Sequence, residues 1–560
     1  MRHPVADSWF ENSPFNMLID YYPEVSPRPY GSGATRENIL PVLRDLDLGF
    51  VIVYAKGHGG RTTFNSRLDT SHPLLAKDMP IFFRELTRET GTKLFFYYSG
   101  LIDGVAAMRN PDWRMRDQAG NPARFFDEWL DWFNAFPICP LSPYFDEWVT
   151  VHFQELFATA DPDGIWMDGD WSGPCYCQRC ETRFRSETGF DGPMPKSRDL
   201  VAPGGLEWSR WWTEIVDEWW GKVAGLIKSL KPSCLYSSGN GSARTEFSTR
   251  FDWRSGDFAT PYNHRLRQSI MMRRYTTQHL PYDSMTVDAT YIPSRPHLRS
   301  RTKTVDRMLQ EGAGVLANGG QWCYWTYPLP NGALIPSKMR RAREAASFTR
   351  DRRDVFLHTT SAKWTAVIDA DPPASLPGTA SLPGDNVFGA AKALIALHRS
   401  PDVMDESAVN VDMLYDLLVM PEQTDLKPET IAAIAAWVER GGNLISSGAS
   451  VTRPEMQDLL GVSVTQRGAL REGHVLLGNG DPAGIMAPWD QVEPVTANAL
   501  YPLYRSWDDD NPDLGMLMPC YPIDGLLDEE APTNAGFPAA TIRQVGAGTV
   551  IHIPTDLFTA

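Results

Sequence analysis

Short apolar segments bounded by Gly, Pro or Asp recur through the first 325 residues and alternate with longer stretches of helical periodicity. Strands are expected at 15–20 (FNMLID), 50–55 (FVIVYA), 93–99 (KLFFYYS), 164–168 (GIWMD), 234–238 (CLYSS), 257–261 (DFATP), 284–288 (SMTVD) and 314–318 (GVLAN). Helices are expected between them, at 74–89, 145–159, 208–230 and 303–311 among others. Eight short strands in a βα rhythm predict a closed (β/α)8 TIM barrel over residues 1–355.

A second α/β series, expected over 356–560, opens at 363–369 (KWTAVID). It continues with a helix near 387–398, a strand at 414–420, an amphipathic helix at 428–440 closed by Gly441 and Gly442, and strands at 443–446 and 549–554. Parallel strands with short crossovers predict a doubly wound sheet. A further domain beyond the last strand stays open.

With 42% hydrophobic and 22% charged residues the composition is that of a globular protein. No run of some 18 apolar residues is present, and Met1-Arg2-His3-Pro4 opens no secretory pattern. A cytoplasmic location is the expectation. The net charge of −16 is spread along the chain without a basic stripe, which excludes a nucleic-acid partner. The 19 Trp, 19 Tyr and 25 Phe mostly suit a large core, and their flat faces also suit sugar rings.

The segment Asp163-Gly164-Ile165-Trp166-Met167-Asp168-Gly169-Asp170-Trp171 puts a carboxylate at the C-terminal end of an apolar strand. Barrel active sites are built at that end. A carboxylate there, framed by aromatic residues, can attack an anomeric carbon. Asp168 is the expected nucleophile; Asp170 reads as a loop brace, a common role for Asp at βα junctions.

Over residues 9–325 the chain resembles the α-L-fucosidases of glycoside hydrolase family 29. The likeness rests on Trp166-Met167-Asp168-Gly169 at the fourth strand and on weaker pieces in the same order: 15–21 at the first strand, Ala55-Lys56-Gly57-His58-Gly59-Gly60 after the second, 92–99 at the third, Tyr282-Asp283-Ser284-Met285-Thr286, and 311–318. It implies a retaining exo-hydrolase with Asp168 as nucleophile and Asp283 as acid/base, with Asp20, Glu24 and Asp288 as alternatives for the second role. Sugar contacts are then expected from Asp20, Tyr21, His58, Tyr98, Trp166, Trp171 and Trp322. Asp20 stands where family members carry a sugar-binding His, and Gly57 replaces the first of a His pair.

Cys175, Cys177 and Cys180 crowd into six residues, and thiolates at this spacing can share a Zn²⁺. The segment looks like the zinc-binding piece of the family 42 β-galactosidases, which adds an upstream cysteine, here Cys139. Four Cys ligands leave no open position, so such an ion is structural; reduced thiols in a tight loop are the alternative. The second domain also resembles family 42, through 416–421, 437–444 and 446–448, where a glutamine-amidotransferase-like domain makes trimers. Cys520 lies in a Pro-rich stretch, not at a nucleophile elbow. The expected assembly is a homo-oligomer, trimer or dimer. A β-galactosidase-like hydrolase and an inactive sugar-binding or assembly protein remain as competing readings.

Overall fold

The computed structural model describes residues 9–558 apart from 11, 24–27, 124–134, 171–172, 196–202, 240–249, 258–272, 274–280, 291–300, 358, 360–361, 363, 371–384, 425, 477–481 and 506–533. The chain divides into two compact units at residues 360–361.

The first unit is a barrel of eight parallel strands: β1 (Phe15–Ile19), β2 (Phe50–Lys56), β3 (Lys93–Ser99), β4 (Gly164–Asp168), β5 (Leu235–Ser238), β6 (Arg254–Asp257), β7 (Tyr282–Val287) and β8 (Gln321–Thr326). The ladder runs β5-β4-β3-β2-β1-β8-β7-β6. Its ends meet through the Asp252 amide, which donates to the Tyr236 carbonyl at 2.8 Å, and through Ser237 Oγ, which donates to the Trp253 carbonyl at 2.7 Å. Local sequence sets the helices. Thr35 and Asp78 cap the helices Arg36–Leu46 and Met79–Thr90, and Gly91 ends the second with a left-handed turn (φ 78°).

The lower part of the barrel is closed by an aromatic stack. Phe10, Phe50 and Phe95 lie face to face at 5.6 and 4.4 Å, and Trp253 tilts against Phe10 and Phe95 at 5.5 and 5.3 Å. Such burial is the main favourable term in holding the strands together.

The eighth strand differs from expectation. Residues 314–318 end the helix Val305–Leu316 and its turn, and β8 follows at Gln321–Thr326. Met308, Glu311, Gly312, Val315 and Leu316 are buried on one face of that helix, at the 3–4 spacing of an amphipathic helix. Gly312 admits the Trp322 ring against the helix backbone. The sixth strand ends at Asp257, and 258–261 lie outside the described residues.

In the second unit five parallel strands lie in the order Asp402–Met404, Thr365–Ile368, Leu417–Pro421, Asn443–Ser447, Gly548–Ile553. Numbered along the chain this is 2-1-3-4-5, a doubly wound order. Ile368, Met420, Ile434, Trp437 and Leu444 lie in its core. Beyond Gly548–Ile553 the sheet continues antiparallel through Asn534–Val545, Asn498–Arg505, Gly473–Leu476 and Pro482–Ile485, an extension the sequence reading does not contain.

Candidate active site

Asp168 is the last residue of β4, level with Ser99 at the end of β3. Its side chain is 30% exposed, more open than that of His58 at 12%. Both carboxylate oxygens are held: Oδ1 accepts the Gly169 amide at 2.7 Å, and Oδ2 accepts the Tyr97 hydroxyl at 2.6 Å. His58 Nε2 lies 3.5 Å from Oδ2. Gly169 has φ 58°, and a Cβ there would press on Ile102 Cδ1 at 2.7 Å and His58 Cε1 at 3.1 Å. The glycine after the carboxylate is therefore what lets Asp168 and His58 sit side by side.

His58 is positioned from behind. Ser99 Oγ donates to the Ile102 carbonyl at 2.8 Å, so His58 Nδ1, 2.7 Å away, donates to Ser99. Desolvation lowers the His58 pKa, the Asp168 charge opposes this, and Lys56 adds to it. The neutral ring then leaves Nε2 as an acceptor beside Asp168, 3.3 Å from the Tyr97 hydroxyl. The loop that carries His58 rests on a buried ion pair, Lys56 Nζ to Asp103 Oδ2 at 2.7 Å, which Tyr144 joins through contacts of 2.8 and 3.0 Å. Gly60 (φ 84°) approaches Asp103 so closely that any side chain would collide with its carboxylate.

Asp20 follows β1 and is nearly buried; its Oδ2 accepts Trp325 Nε1 at 3.0 Å. Its charge, with that of Asp168, adds to the burial that raises the pKa of Tyr54 and Tyr97, whose rings stack at 3.9 Å. Tyr22 packs edge-on against Tyr54 and His58 at 5.4 and 5.9 Å. Trp325, half-buried near the end of β8, and Tyr327 lie 5.6 Å apart. Together these side chains offer a partly open carboxylate, a neutral imidazole, a second carboxylate and an aromatic wall.

Asp283 does not join them. It is the second residue of β7, whereas Asp168 is the last of β4. It is completely buried with Trp253 of the aromatic floor, whose Nε1 donates to Oδ1 at 2.8 Å. Desolvation pushes its pKa up to about 7. A carboxyl sealed in that floor does not meet a substrate at the opposite end of the strands. Asp288 is also committed elsewhere, to Lys338 Nζ at 2.9 Å and Thr326 Oγ1 at 2.6 Å. Glu24, Trp171 and Cys520 lie outside the described residues.

Three of the expected aromatic contacts point away from the pocket. The Tyr21 ring packs on Phe83, and its hydroxyl donates to the Gly332 carbonyl at 3.1 Å. Tyr98 pairs with His152 Nδ1 at 2.9 Å and packs on Phe153 of the helix Thr150–Ala160. Trp322 faces the helix Val305–Leu316 and donates to Thr286 Oγ1 at 2.6 Å. Trp166 lies one step below Asp168, 5.3 Å from Tyr97, and donates to Ser255 Oγ at 2.9 Å. Tyr97, Ser99, Tyr22 and Trp325 are the neighbours that sequence reasoning missed. Strand alternation identifies the first two once Asp168 is placed, because Tyr97 and Ser99 pair with Trp166 and Asp168.

The four cysteines come together. The Sγ atoms of Cys139, Cys175, Cys177 and Cys180 all lie within 4.8 Å of one another, buried, with separations of 3.4 Å for Cys139–Cys180 and 3.7 Å for Cys139–Cys177 and Cys177–Cys180. A tetrahedral Zn²⁺ with Zn–S bonds of about 2.3 Å needs sulfur edges of roughly 3.8 Å, so the donor set fits that ion. The knot also closes a ring around Asp168. The Asp168 carbonyl accepts the Gly100 amide at 2.7 Å, the Gly169 carbonyl accepts the Leu101 amide at 2.8 Å, and the Ile138 amide donates to the Leu101 carbonyl at 2.7 Å, one residue before Cys139.

No family model and no curated protein matches this sequence. Solved structures do. α-L-Fucosidase isoenzyme 2 from Paenibacillus thiaminolyticus has a TM-score of 0.75 at 19% identity, covering 98% of this chain and 80% of that one. A β-galactosidase from Rahnella sp. R3 has a TM-score of 0.71 at 14% identity, covering 100% and 89%. A GH42 β-galactosidase from G. stearothermophilus has a TM-score of 0.71 at 13% identity, covering 100% and 87%. These likenesses show the fold that the chain shares with these proteins.

Proposed function

We propose that this protein is a retaining exo-glycoside hydrolase of the α-L-fucosidase type, with Asp168 as its nucleophile. The observation that carries the reading is the Asp168 carboxylate itself: at the C-terminal end of β4, partly open, oriented through both oxygens and set beside His58. In this reading Asp168 attacks the anomeric carbon as the leaving oxygen is protonated, and water then hydrolyses the glycosyl ester. Tyr97 and the Gly169 amide orient the attacking group, and His58 Nε2 accepts a sugar hydroxyl.

With Asp283 in the floor, the acid/base role passes to Asp20. Asp20 directly follows β1, is held by Trp325 of the adjacent β8 and adds its charge to that of Asp168 at Tyr97; the reading requires the spacing of a retaining pair, about 5 to 5.5 Å between carboxyl groups. Oligosaccharides or glycoconjugates supply the substrate. Cys139, Cys175, Cys177 and Cys180 would hold a Zn²⁺ ion; with four thiolates as ligands it would have no open position for the reaction and would brace the loops after β3 and β4.

A second reading keeps the barrel and changes the sugar to a β-D-galactoside; the cysteine knot and the second domain, both similar to family 42, favour it. Hydrolysis of a panel of nitrophenyl α-L- and β-D-glycosides separates the two. Preferential release from the α-L-fucoside supports the first, preferential release from the β-D-galactoside replaces it with the second, and no turnover on any member counts against both.

A further inference from the structure

Asp170 is a buried carboxyl that this mechanism leaves unused. It follows Asp168 across Gly169 and is completely inaccessible. Its side chain turns from the pocket into the wall of the barrel, where Oδ1 accepts Ser238 Oγ and Oδ2 accepts Trp220 Nε1, both at 2.9 Å. Ser238 is the last residue of β5, and Trp220 lies within the helix Gly205–Leu230. Gly100, whose amide holds the Asp168 carbonyl, has no side chain because the Asp170 Cβ and the Met167 Sδ occupy that space, at 2.7 and 2.9 Å from where a Cβ would be.

We propose that Asp170 is a positioning residue for Asp168, and that its proton decides whether a second anion stands beside the nucleophile. The inference rests on Asp168 being that nucleophile. The pair of donors suits both protonation states. Trp220 can only donate, whereas the Ser238 hydroxyl can donate to the carboxylate or accept from the carboxylic acid by turning about its C–O bond. No heavy atom has to move. Burial raises the Asp170 pKa to about 7, Asp168 adds to the rise, and the bonds from Ser238 and Trp220 oppose it. Among the described groups around it, Asp168 on its own loop and Tyr236 on β5 titrate, and Tyr236 is held un-ionised by burial and by Asp170.

The consequence is unequal for the two halves of the reaction. Glycosylation removes negative charge from Asp168, so a neighbouring anion does not oppose it. Deglycosylation returns that charge to Asp168, and an ionised Asp170 opposes its return. Turnover limited by deglycosylation therefore declines as pH rises through the Asp170 pKa of the glycosyl-enzyme, which lies below the free enzyme's value of about 7 because esterified Asp168 no longer adds to the rise, and the glycosyl-enzyme accumulates.

The test uses the full chain and a dinitrophenyl glycoside of whichever sugar it hydrolyses, so that deglycosylation limits kcat. Asp170→Asn keeps both hydrogen bonds and is neutral at every pH. The expected result is loss of the alkaline limb of kcat in Asp170→Asn, with the limb of kcat/KM, which reports the acid/base, retained. An unchanged kcat limb in the variant overturns the proposal. Should the variant not fold, pre-steady-state kinetics of the wild-type enzyme decide: a steady-state rate after the burst that falls between pH 5 and 8, with the burst still near one equivalent, supports the proposal, and a rate that does not fall overturns it. Asp168→Asn serves as the control, because full activity there would defeat the reading of the site itself and not merely the role of Asp170.

Discussion

At the scale of single residues, the site depends on contacts that strand alternation creates. Tyr97 donates a 2.6 Å hydrogen bond to the Asp168 carboxylate, and bonds to charged groups contribute roughly 1.5 to 3 kcal/mol. Tyr97→Phe should lower kcat/KM by about 10- to 100-fold with the fold intact, as steady-state kinetics alongside circular dichroism would record. The place of Asp168 at the end of β4 was legible in the sequence because a carboxylate closing an apolar strand before Gly is a distinctive arrangement. Tyr97 was not: the run Phe95-Phe96-Tyr97-Tyr98 is aromatic on both faces of β3, so its parity cannot be read from the sequence, which points to Tyr98 where Tyr97 reaches Asp168.

Asp283 shows the same limit from the other side. Residue type and order suggested a catalytic acid, but the role depends on which end of the strand carries it, and β7 begins two residues earlier than expected. Its burial makes a prediction of its own. The folded pKa, about 7, is raised above the ordinary 3.8. The favourable contribution of the protonated acid is thus fully present below about pH 4 and lost as pH rises through 7. At roughly 1.4 kcal/mol per pKa unit the full loss is on the order of 4 to 5 kcal/mol. Asp283→Asn keeps the bond from Trp253 and removes the titration. Thermal melts at pH 5 and pH 8 should show the variant gaining stability over wild type at the higher pH; a constant difference would contradict this origin of the pKa.

Among elements, the regular βα rhythm carried most of the barrel, and the misplaced eighth strand shows why such readings fail. Short apolar runs are alike in strands and at the ends of amphipathic helices, and 314–318 is such an end. The cysteine knot lay at the other extreme, since crowded thiols limit what a loop can be. Cys139 joins it from 36 residues before Cys175, a contact that only the packing of the loops after β3 and β4 provides. Protein purified without chelator should contain about one zinc per chain. Cys139→Ser should lose most of that metal and, because the ring through Leu101 and Gly100 holds the Asp168 backbone, should lose activity before the barrel melts. Metal analysis beside melting curves checks this, and zinc-free protein of full stability would favour plain thiols.

For the whole molecule, the second unit combines a 2-1-3-4-5 parallel sheet with an antiparallel extension. The parallel part was legible from its strand–helix alternation; the extension was not, because strands such as Asn498–Arg505, largely exposed or half-buried, lack a clear apolar alternation. Among the described residues no helix is long and apolar enough to cross a membrane. We propose that this unit serves assembly, with a trimer preferred and a dimer as the alternative. Light scattering on fully active protein should then give a multiple of the 62.8 kDa chain mass, and a mass equal to one chain would assign the domain another role.

The central claim is that Asp168 forms the covalent intermediate. Incubation with a 2-deoxy-2-fluoroglycosyl fluoride matching the preferred sugar, followed by proteolysis and mass spectrometry, tests it directly, because the fluorine slows deglycosylation and leaves the ester on the nucleophile. The expected result is one labelled peptide, that of Ile165-Trp166-Met167-Asp168-Gly169, with no label in Asp168→Asn. A label on another carboxylate would contradict the account.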